Sequence, residues 1–196
     1  AISRGIGSRG YMPDEAMRAN WIMECLPPAP LPAAPYKLHV TSITRPPLSA
    51  LPVNQKLAHG IGSTLALLEA RDHHCDEAIL LTVDGKLCEA AAANLFWIAN
   101  GKIYTPALET GCLAGTTRAA IMRLAPVQET VADVGALHHA DALFLTNARV
   151  GVWPANCAKF KILDSQQHDF IAQLMQSLIA DRIAAVDAAR AAWVSA

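Results

Sequence analysis

A cluster of prolines near the start of the chain constrains its folding more than any other feature. Five of the nine residues in 27–35 are proline. Proline has a fixed φ and no backbone N–H, so this stretch can form neither a helix nor a central strand. Such a composition is typical of a semi-rigid linker. We therefore predict a domain boundary here, with residues 1–26 on one side of the linker and residues 36–196 on the other.

The segment before the prolines is too small to be a domain. Residues 1–6 and 21–23 have the pattern of two extended segments, and the Gly-rich residues 7–10 predict a turn between them. Two strands cannot build a hydrophobic core alone. We therefore interpret residues 1–26 as the remnant of a small N-terminal domain.

Composition limits the kind of protein that this chain can be. Of its 196 residues, 53% are apolar and 17% charged, which is enough to build a sizeable core. The formal charge of −1 argues against a nucleic-acid or anionic-membrane partner. No stretch approaches the roughly 20 apolar residues of a membrane span. The five scattered cysteines form no CxxC pair, so we expect reduced thiols, no metal site and a cytoplasmic location.

Two turn dipeptides predict β-hairpins in the middle of the chain. Asp84-Gly85 separates residues 78–83 from 86–88, and Asn100-Gly101 separates residues 94–98 from 102–105. Asp-Gly and Asn-Gly tolerate the positive φ values that two-residue hairpin turns require. Further strands are predicted at residues 36–43, 127–131 and 142–146. Hairpins outnumber βαβ crossovers, so the predicted fold class is α+β.

Three helices are predicted from apolar periodicity. Leu57, Ile61, Leu65 and Leu68 recur at helical spacing, and residues 116–124 also have a helical pattern. The closing amphipathic helix is defined by Ile171, Leu174, Leu178, Ile183 and Val186. Ser165 is its predicted N-cap.

Residues 75–118 combine several features that can carry chemistry. Glu89 follows a hairpin strand and lies among small residues, which would let another molecule approach closely. Gly115-Thr116-Thr117-Arg118 leads into the predicted helix 116–124. Free N–H groups and the helix dipole make such a helix start a suitable site for an anion such as phosphate.

Taken together, these motifs resemble the fold-type IV pyridoxal-phosphate enzymes. That family contains the branched-chain and D-amino-acid aminotransferases and 4-amino-4-deoxychorismate lyase. The resemblance rests on the run DEAILLTVDGKLCEAAAANLF, the Thr105-Pro106 pair and GCLAGTTR, and it extends over essentially the whole chain. It implies a D-amino-acid-aminotransferase-like fold with a large C-terminal domain in residues 36–196. It also implies pyridoxal 5'-phosphate as cofactor, a small-molecule substrate and a homodimer.

The resemblance assigns roles to individual residues. Lys56, twenty positions before Asp76, matches the lysine that binds the cofactor covalently and acts as the general base. Glu89 matches the acid that pairs with the pyridine nitrogen. Further cofactor contacts fall to Asn94, Gly115, Thr116, Thr117, Thr146, Asn147 and Ala148. Arg9 and Tyr11 match positions that bind a substrate carboxylate, a task for which the planar fork of arginine is suited.

Within the family, three stretches resemble the lyase more than the aminotransferases: RGYMP, AAANLFW and LTNARVGVWP. They imply conversion of 4-amino-4-deoxychorismate to 4-aminobenzoate and pyruvate, a step of folate biosynthesis. One alternative is a class IV aminotransferase acting on branched-chain or D-amino acids. A second is a truncated, non-catalytic remnant, because family members carry more chain before the segment that contains Arg9.

Overall fold

The computed structural model describes residues 2–3, 5, 12, 15, 17–27, 30–157, 159–160 and 165–194. The chain forms two compact units, residues 1–30 and 31–196. In the first unit, β1 (Ile2–Ser3) pairs antiparallel with β2 (Asn20–Trp21). The turn predicted at residues 7–10 lies outside the described residues, as do the predicted substrate contacts Arg9 and Tyr11.

The second unit is built on one mixed sheet of eight strands, in the order β5-β4-β3-β10-β9-β6-β7-β8. The strands are β3 (Tyr36–Thr44), β4 (Glu77–Leu81), β5 (Leu87–Ala90), β6 (Asn94–Ala99), β7 (Lys102–Pro106), β8 (Val127–Thr130), β9 (Ala142–Asn147) and β10 (Gly151–Cys157). Four strand pairs are antiparallel and three are parallel. This arrangement confirms the predicted α+β class.

Both predicted hairpins are present. β4 pairs antiparallel with β5 across Asp84-Gly85, and β6 pairs antiparallel with β7 across Asn100-Gly101. In the second turn, Asn100 has a φ of 51° and Gly101 a φ of 70°. Positive φ at both central residues suits the right-handed twist of the flanking strands, which explains why the dipeptide predicts the hairpin correctly.

The sequence analysis missed β10, which lies at the centre of the sheet between β3 and β9. Pro154 stands in the middle of this segment, and proline normally argues against a central strand. Pairing with β3 begins only at Ala155, after the proline. The missing N–H of Pro154 therefore leaves no gap in the ladder that β10 forms with β3.

In the part of the chain that the structure describes, three α-helices cover the sheet: α1 (Ile61–Asp72), α2 (Thr116–Leu124) and α3 (Ser165–Val194). The first helix begins at Ile61, so Leu57 lies in the loop before it. Its apolar pattern does not form the buried face: Ile61 is 63% and Leu65 47% exposed, whereas Ala66 and Ala70 are buried. The small alanines allow α1 to pack closely against Ala78 and Leu80 of β4, grouped with them in one core cluster.

The same face of the sheet packs against α2 and α3 farther along, at β9 and β10, because the strand register places Phe144 and Phe96 on the side of Ala78. Phe96 and Phe144 stack at 4.9 Å between ring centroids within this cluster, and Ile121 of α2 joins them. In α3, the predicted core positions Ile171, Leu174 and Leu178 are buried, but Ile183 and Val186 are more than half exposed. The predicted N-cap Ser165 begins the helix, and its side chain lies outside the described part. Among the described residues, no helix is both long and apolar enough to cross a membrane.

Glu69 of α1 binds the helix to β3. Its carboxylate accepts hydrogen bonds from Thr41 Oγ1 at 2.7 Å and Ser42 N at 2.9 Å, and His39 Nε2 lies 3.0 Å away. Burial opposes ionisation, but these hydrogen bonds outweigh it and lower the pKa of Glu69 to about 2. Glu69, His39 and His73 offer ligand atoms within 4.8 Å of one another, a spacing that a metal ion could use. Hydrogen bonds from Thr41 and Ser42 of β3 already occupy the oxygens of the Glu69 carboxylate.

We expect Glu69→Gln to lower the free energy of unfolding at neutral pH by about 1–2 kcal/mol, because an amide cannot accept all these bonds. The folded-state pKa lies below the ordinary value. This stabilisation is therefore fully present above the unfolded pKa of 4.5 and is lost as the pH falls toward 2. Urea unfolding at pH 7 and near pH 3 measures the effect, with exposed Glu109→Gln as control. A deficit of equal size at both pH values would contradict the prediction.

Candidate functional site

One cavity of about 650 Å³ opens in the second unit. Four segments border it: the loop from β3 to α1, the turn between β5 and β6, the start of α2 and the end of β9. All nine residues that the sequence analysis assigns to the cofactor line this cavity: Lys56, Glu89, Asn94, Gly115, Thr116, Thr117, Thr146, Asn147 and Ala148. The fold thus brings together residues that are scattered along the chain.

Glu89 is a buried acid on the cavity wall. Its carboxylate lies 2.9 Å from Nη2 of Arg45 and accepts a hydrogen bond of 2.8 Å from the N–H of Leu113. Burial raises the pKa of Glu89 above its usual value, while the charges of Arg45 and Lys56 and the Leu113 N–H offset part of the rise. The site therefore holds a carboxylate whose protonation responds to any charge brought into the cavity.

Arg45 is a residue that the sequence analysis missed. Besides pairing with Glu89, it donates to the carbonyl oxygens of Val53 at 2.8 Å and Gly111 at 3.3 Å. One guanidinium therefore joins the end of β3 to the loop that carries Lys56 and to the loop before α2. The available signal is a charged residue between a predicted strand and Pro46-Pro47.

Lys56 lies on the long loop between β3 and α1 and is exposed at the cavity. Besides the bond from Arg45, this loop is tied to the segment before α2, because Asn54 O accepts a hydrogen bond of 3.2 Å from Ala114 N. Val53 is buried beneath it. These contacts hold the loop against the start of α2 while the Lys56 amine stays accessible.

The start of α2 forms another part of the wall. Gly115 is the N-cap and makes no side-chain cap, so helix geometry leaves the first N–H groups available for another acceptor. Asn94 Nδ2 donates to Leu113 O at 2.7 Å, which places its Oδ1 against Gly115. A Cβ on Gly115 would lie 2.1 Å from that oxygen, so only glycine fits here.

The end of β9 supplies a buried hydroxyl with no partner. Thr146 is fully buried, and its Oγ1 has no hydrogen-bond partner in the described structure. The next residue, Asn147, builds the turn: its Oδ1 accepts from the N–H groups of Arg149 and Val150, and its Nδ2 donates to Ala92 O. A buried hydroxyl is costly without a partner. Together with the uncapped start of α2, it fits an anionic acceptor in this cavity.

Glu77 is a second residue that the sequence analysis missed. It is buried, and its Oε1 accepts the N–H groups of Ala78 at 2.9 Å and Ala91 at 3.1 Å. Burial raises the pKa of Glu77, and these N–H groups offset part of the rise. The residue holds the turn that follows Glu89. Its signal in the sequence is the DEA run of the family-like motif, in which the sequence analysis assigns no function to Glu77.

Comparisons with known proteins support a family assignment. Residues 1–157 match the sequence model of the family "Amino-transferase class IV". A Thermotoga maritima protein named "Probable branched-chain-amino-acid aminotransferase" is 35% identical over 123 residues, which cover 60% of this chain and 44% of that protein.

Solved structures agree with this assignment. The branched-chain aminotransferase of Thermoproteus uzoniensis with norvaline has a TM-score of 0.72 and 25% identity, covering 83% of this chain and 54% of that one. The T.th. branched-chain amino acid aminotransferase complexed with N-(5'-phosphopyridoxyl)-L-glutamate has a TM-score of 0.67 and 26% identity, covering 74% and 51%.

This chain spans about half the length of these relatives. None of the three is named as a lyase, so the similarity supports the aminotransferase alternative better than the lyase interpretation. The α+β fold that the resemblance implied agrees with the solved neighbours. The chain belongs to the class IV aminotransferase family, whose members use pyridoxal phosphate.

Proposed function

We propose that this chain provides the cofactor-binding domain of a pyridoxal-phosphate-dependent aminotransferase. One observation carries the proposal. A single cavity is bordered by an accessible lysine, a buried acid and an anion-accepting wall, namely Lys56, Glu89 and the wall formed by Thr146 and the start of α2. They would bind, in that order, the aldehyde, the basic ring nitrogen and the phosphate of a cofactor that carries all three groups.

Lys56 holds the cofactor covalently and moves the proton. When bound, pyridoxal phosphate supplies an electron sink for bonds at the carbon that carries the substrate amine. The Lys56 amine would bind the cofactor covalently. Once a substrate amine has replaced it there, the freed Lys56 amine would take the proton from that carbon. Its place on a loop held at both sides keeps the amine at the cavity without burying it.

Glu89 binds the ring nitrogen. Arg45 and the Leu113 N–H hold its carboxylate at the cavity wall, which fixes the direction from which a ring can approach. A carboxylate favours a protonated ring nitrogen, and the added positive charge favours the ionised form of Glu89 in return. The pair therefore strengthens the electron sink.

Thr116, Thr117 and Thr146 bind the phosphate. The N–H groups at the start of α2 and the hydroxyl of Thr146 are donors that point to an anion. Gly115 allows the backbone to approach, and Asn94 holds the preceding loop at Leu113 O. Asn147 acts through its turn, which also places Ala148 at the cavity.

The names of the relatives favour an amino acid of the branched-chain class as substrate, with D-amino acids as the family's other amine donors. Arg9 and Tyr11 are the proposed contacts of the substrate carboxylate. The relatives are about twice as long as this chain. We therefore propose, for the whole protein, that it turns over its substrate, forms a homodimer and is cytoplasmic.

The first test is covalent trapping. Pyridoxal phosphate is added to the purified chain, borohydride reduces the link, and peptide mass mapping locates it. We expect one adduct, on Lys56, and none in Lys56→Ala. Lys102→Ala, on the exposed start of β7, should leave the adduct unchanged. Labelling distributed over many lysines would contradict the proposal and favour the non-catalytic remnant.

The second test concerns the Thr146 hydroxyl. Thr146→Val keeps the shape but removes a group with no partner, so the stability of the cofactor-free chain should stay unchanged or rise. Affinity for pyridoxal phosphate should fall about tenfold, because a hydrogen bond to a charged group is lost. Absorbance titration and urea unfolding measure the two effects.

Thr105→Val is the matched control for this variant. Thr105 is equally buried, but its hydroxyl donates to Leu95 O at 2.8 Å. Its loss should lower stability without a specific effect on affinity. If the two variants behave alike, the Thr146 hydroxyl has no role in binding.

The third test separates aminotransferase from lyase. The stretches RGYMP, AAANLFW and LTNARVGVWP resemble the lyase, and the alanines of AAANLFW line the cavity. The names of the relatives favour an aminotransferase instead. We expect amino transfer from a branched-chain or D-amino acid to 2-oxoglutarate, followed as keto-acid formation. Release of 4-aminobenzoate and pyruvate from 4-amino-4-deoxychorismate, without amino transfer, would establish the lyase instead.

A further inference from the structure

Arg182 of α3 contacts a residue of the cavity wall without lining the cavity itself. Its Nη2 donates a hydrogen bond of 3.0 Å to Oγ1 of Thr117, a buried residue in the first turn of α2. Thr117 lines the cavity, whereas Arg182 is not among the described residues that do. The helix that carries Arg182 lies beyond residues 1–157, the part that matches the family.

The same guanidinium lies close to the start of β10. Its Nη1 lies 3.9 Å from the position that a Cβ on Gly151 would occupy. Gly151 opens β10, directly after the turn that Asn147 organises and that follows Thr146. Arg182 therefore donates a hydrogen bond to the start of α2 and lies close to the turn that follows Thr146.

The charge of Arg182 has no carboxylate partner within the described residues. The neighbouring acid, Asp181, pairs instead with Arg123 at 3.0 Å. A cation beside the first turn of a helix meets the positive end of the helix dipole, which is unfavourable. An anion bound in front of α2 would reverse the sign of this interaction. The unpartnered, buried hydroxyl of Thr146 independently indicates an acceptor at the same place.

We infer that Arg182 is a positioning residue for the cofactor phosphate, an inference that rests on the proposed function. Because Arg182 donates to Oγ1, the Thr117 hydroxyl accepts that bond and keeps its own hydrogen for a phosphate oxygen. The guanidinium adds a positive charge behind the N–H groups of α2.

The experiment compares pyridoxal phosphate with pyridoxal, which lacks the phosphate, by absorbance titration of the whole chain. Arg182→Met keeps much of the aliphatic length and removes the charge. We expect it to weaken pyridoxal phosphate about two- to fivefold, the range for a charge at a helix end, and to leave pyridoxal unchanged. Thermal unfolding without cofactor should show only a small change of midpoint, because the lost hydrogen bond to Thr117 and the relieved interaction with the dipole act in opposite directions.

Arg123→Met is the matched control, because Arg123 connects the same two helices through Asp181 at the other end of α2. It should leave the ratio of the two affinities unchanged. An equal loss of both affinities in Arg182→Met would mean that Arg182 only fastens α3 to α2, and would overturn the inference while leaving the proposed function intact.

A third variant distinguishes the loss of charge in Arg182→Met from a folding defect. Arg182→Lys keeps the charge but loses the planar fork of the guanidinium, so it should restore part of the phosphate preference. A lysine variant with no more preference than Arg182→Met would contradict the role of the charge. If the unaltered chain itself bound pyridoxal as well as pyridoxal phosphate, the phosphate site of the proposed function would fail, and this inference with it.

Discussion

The ion pair between Arg45 and Glu89 lies where the main parts of the site meet. Both side chains are largely buried, with 17% and 7% of their surface exposed. Removal of one member of a buried pair typically costs about 3–5 kcal/mol, because it leaves the other charge without compensation. The remaining donors of Arg45 hold Val53 O and Gly111 O. This one guanidinium therefore helps to fix both the Lys56 loop and the segment before α2, together with the hydrogen bond between Asn54 and Ala114.

The topology of the sheet explains why these segments can meet at one cavity. β6 lies beside β9 with Asn94 paired to Thr146, so the turn that follows Glu89 and the end of β9 meet at one part of the cavity. Small residues make the approach possible: Gly115 faces Asn94 without room for a Cβ, and alanines line the turn after Glu89. Buried carboxylates at Glu89 and Glu77 then hold backbone N–H groups that the turns leave unpaired.

Much of the fold can be read from local sequence, because local backbone preferences decide it. Asn100-Gly101 tolerates positive φ, so the hairpin follows from two residues. The central strand β10 does not follow in this way. Pro154 is acceptable there only because pairing with β3 begins at the next residue, a fact about a partner strand. The buried face of α1 is likewise set by what it packs against, and alanines fit where leucines at helical spacing do not.

The sequence alone is sufficient for the α+β class, the two hairpins and the motif that resembles a pyridoxal-phosphate family. These depend on local dihedral preferences and on residue types at short spacing. The tertiary structure alone decides the partners of Arg45, Glu77 and Arg182. Arg45 meets Gly111 across 66 positions, and Arg182 meets Thr117 across 65. No local pattern encodes such contacts, because they exist only once the sheet has brought distant segments together and burial has made each unpaired polar group costly.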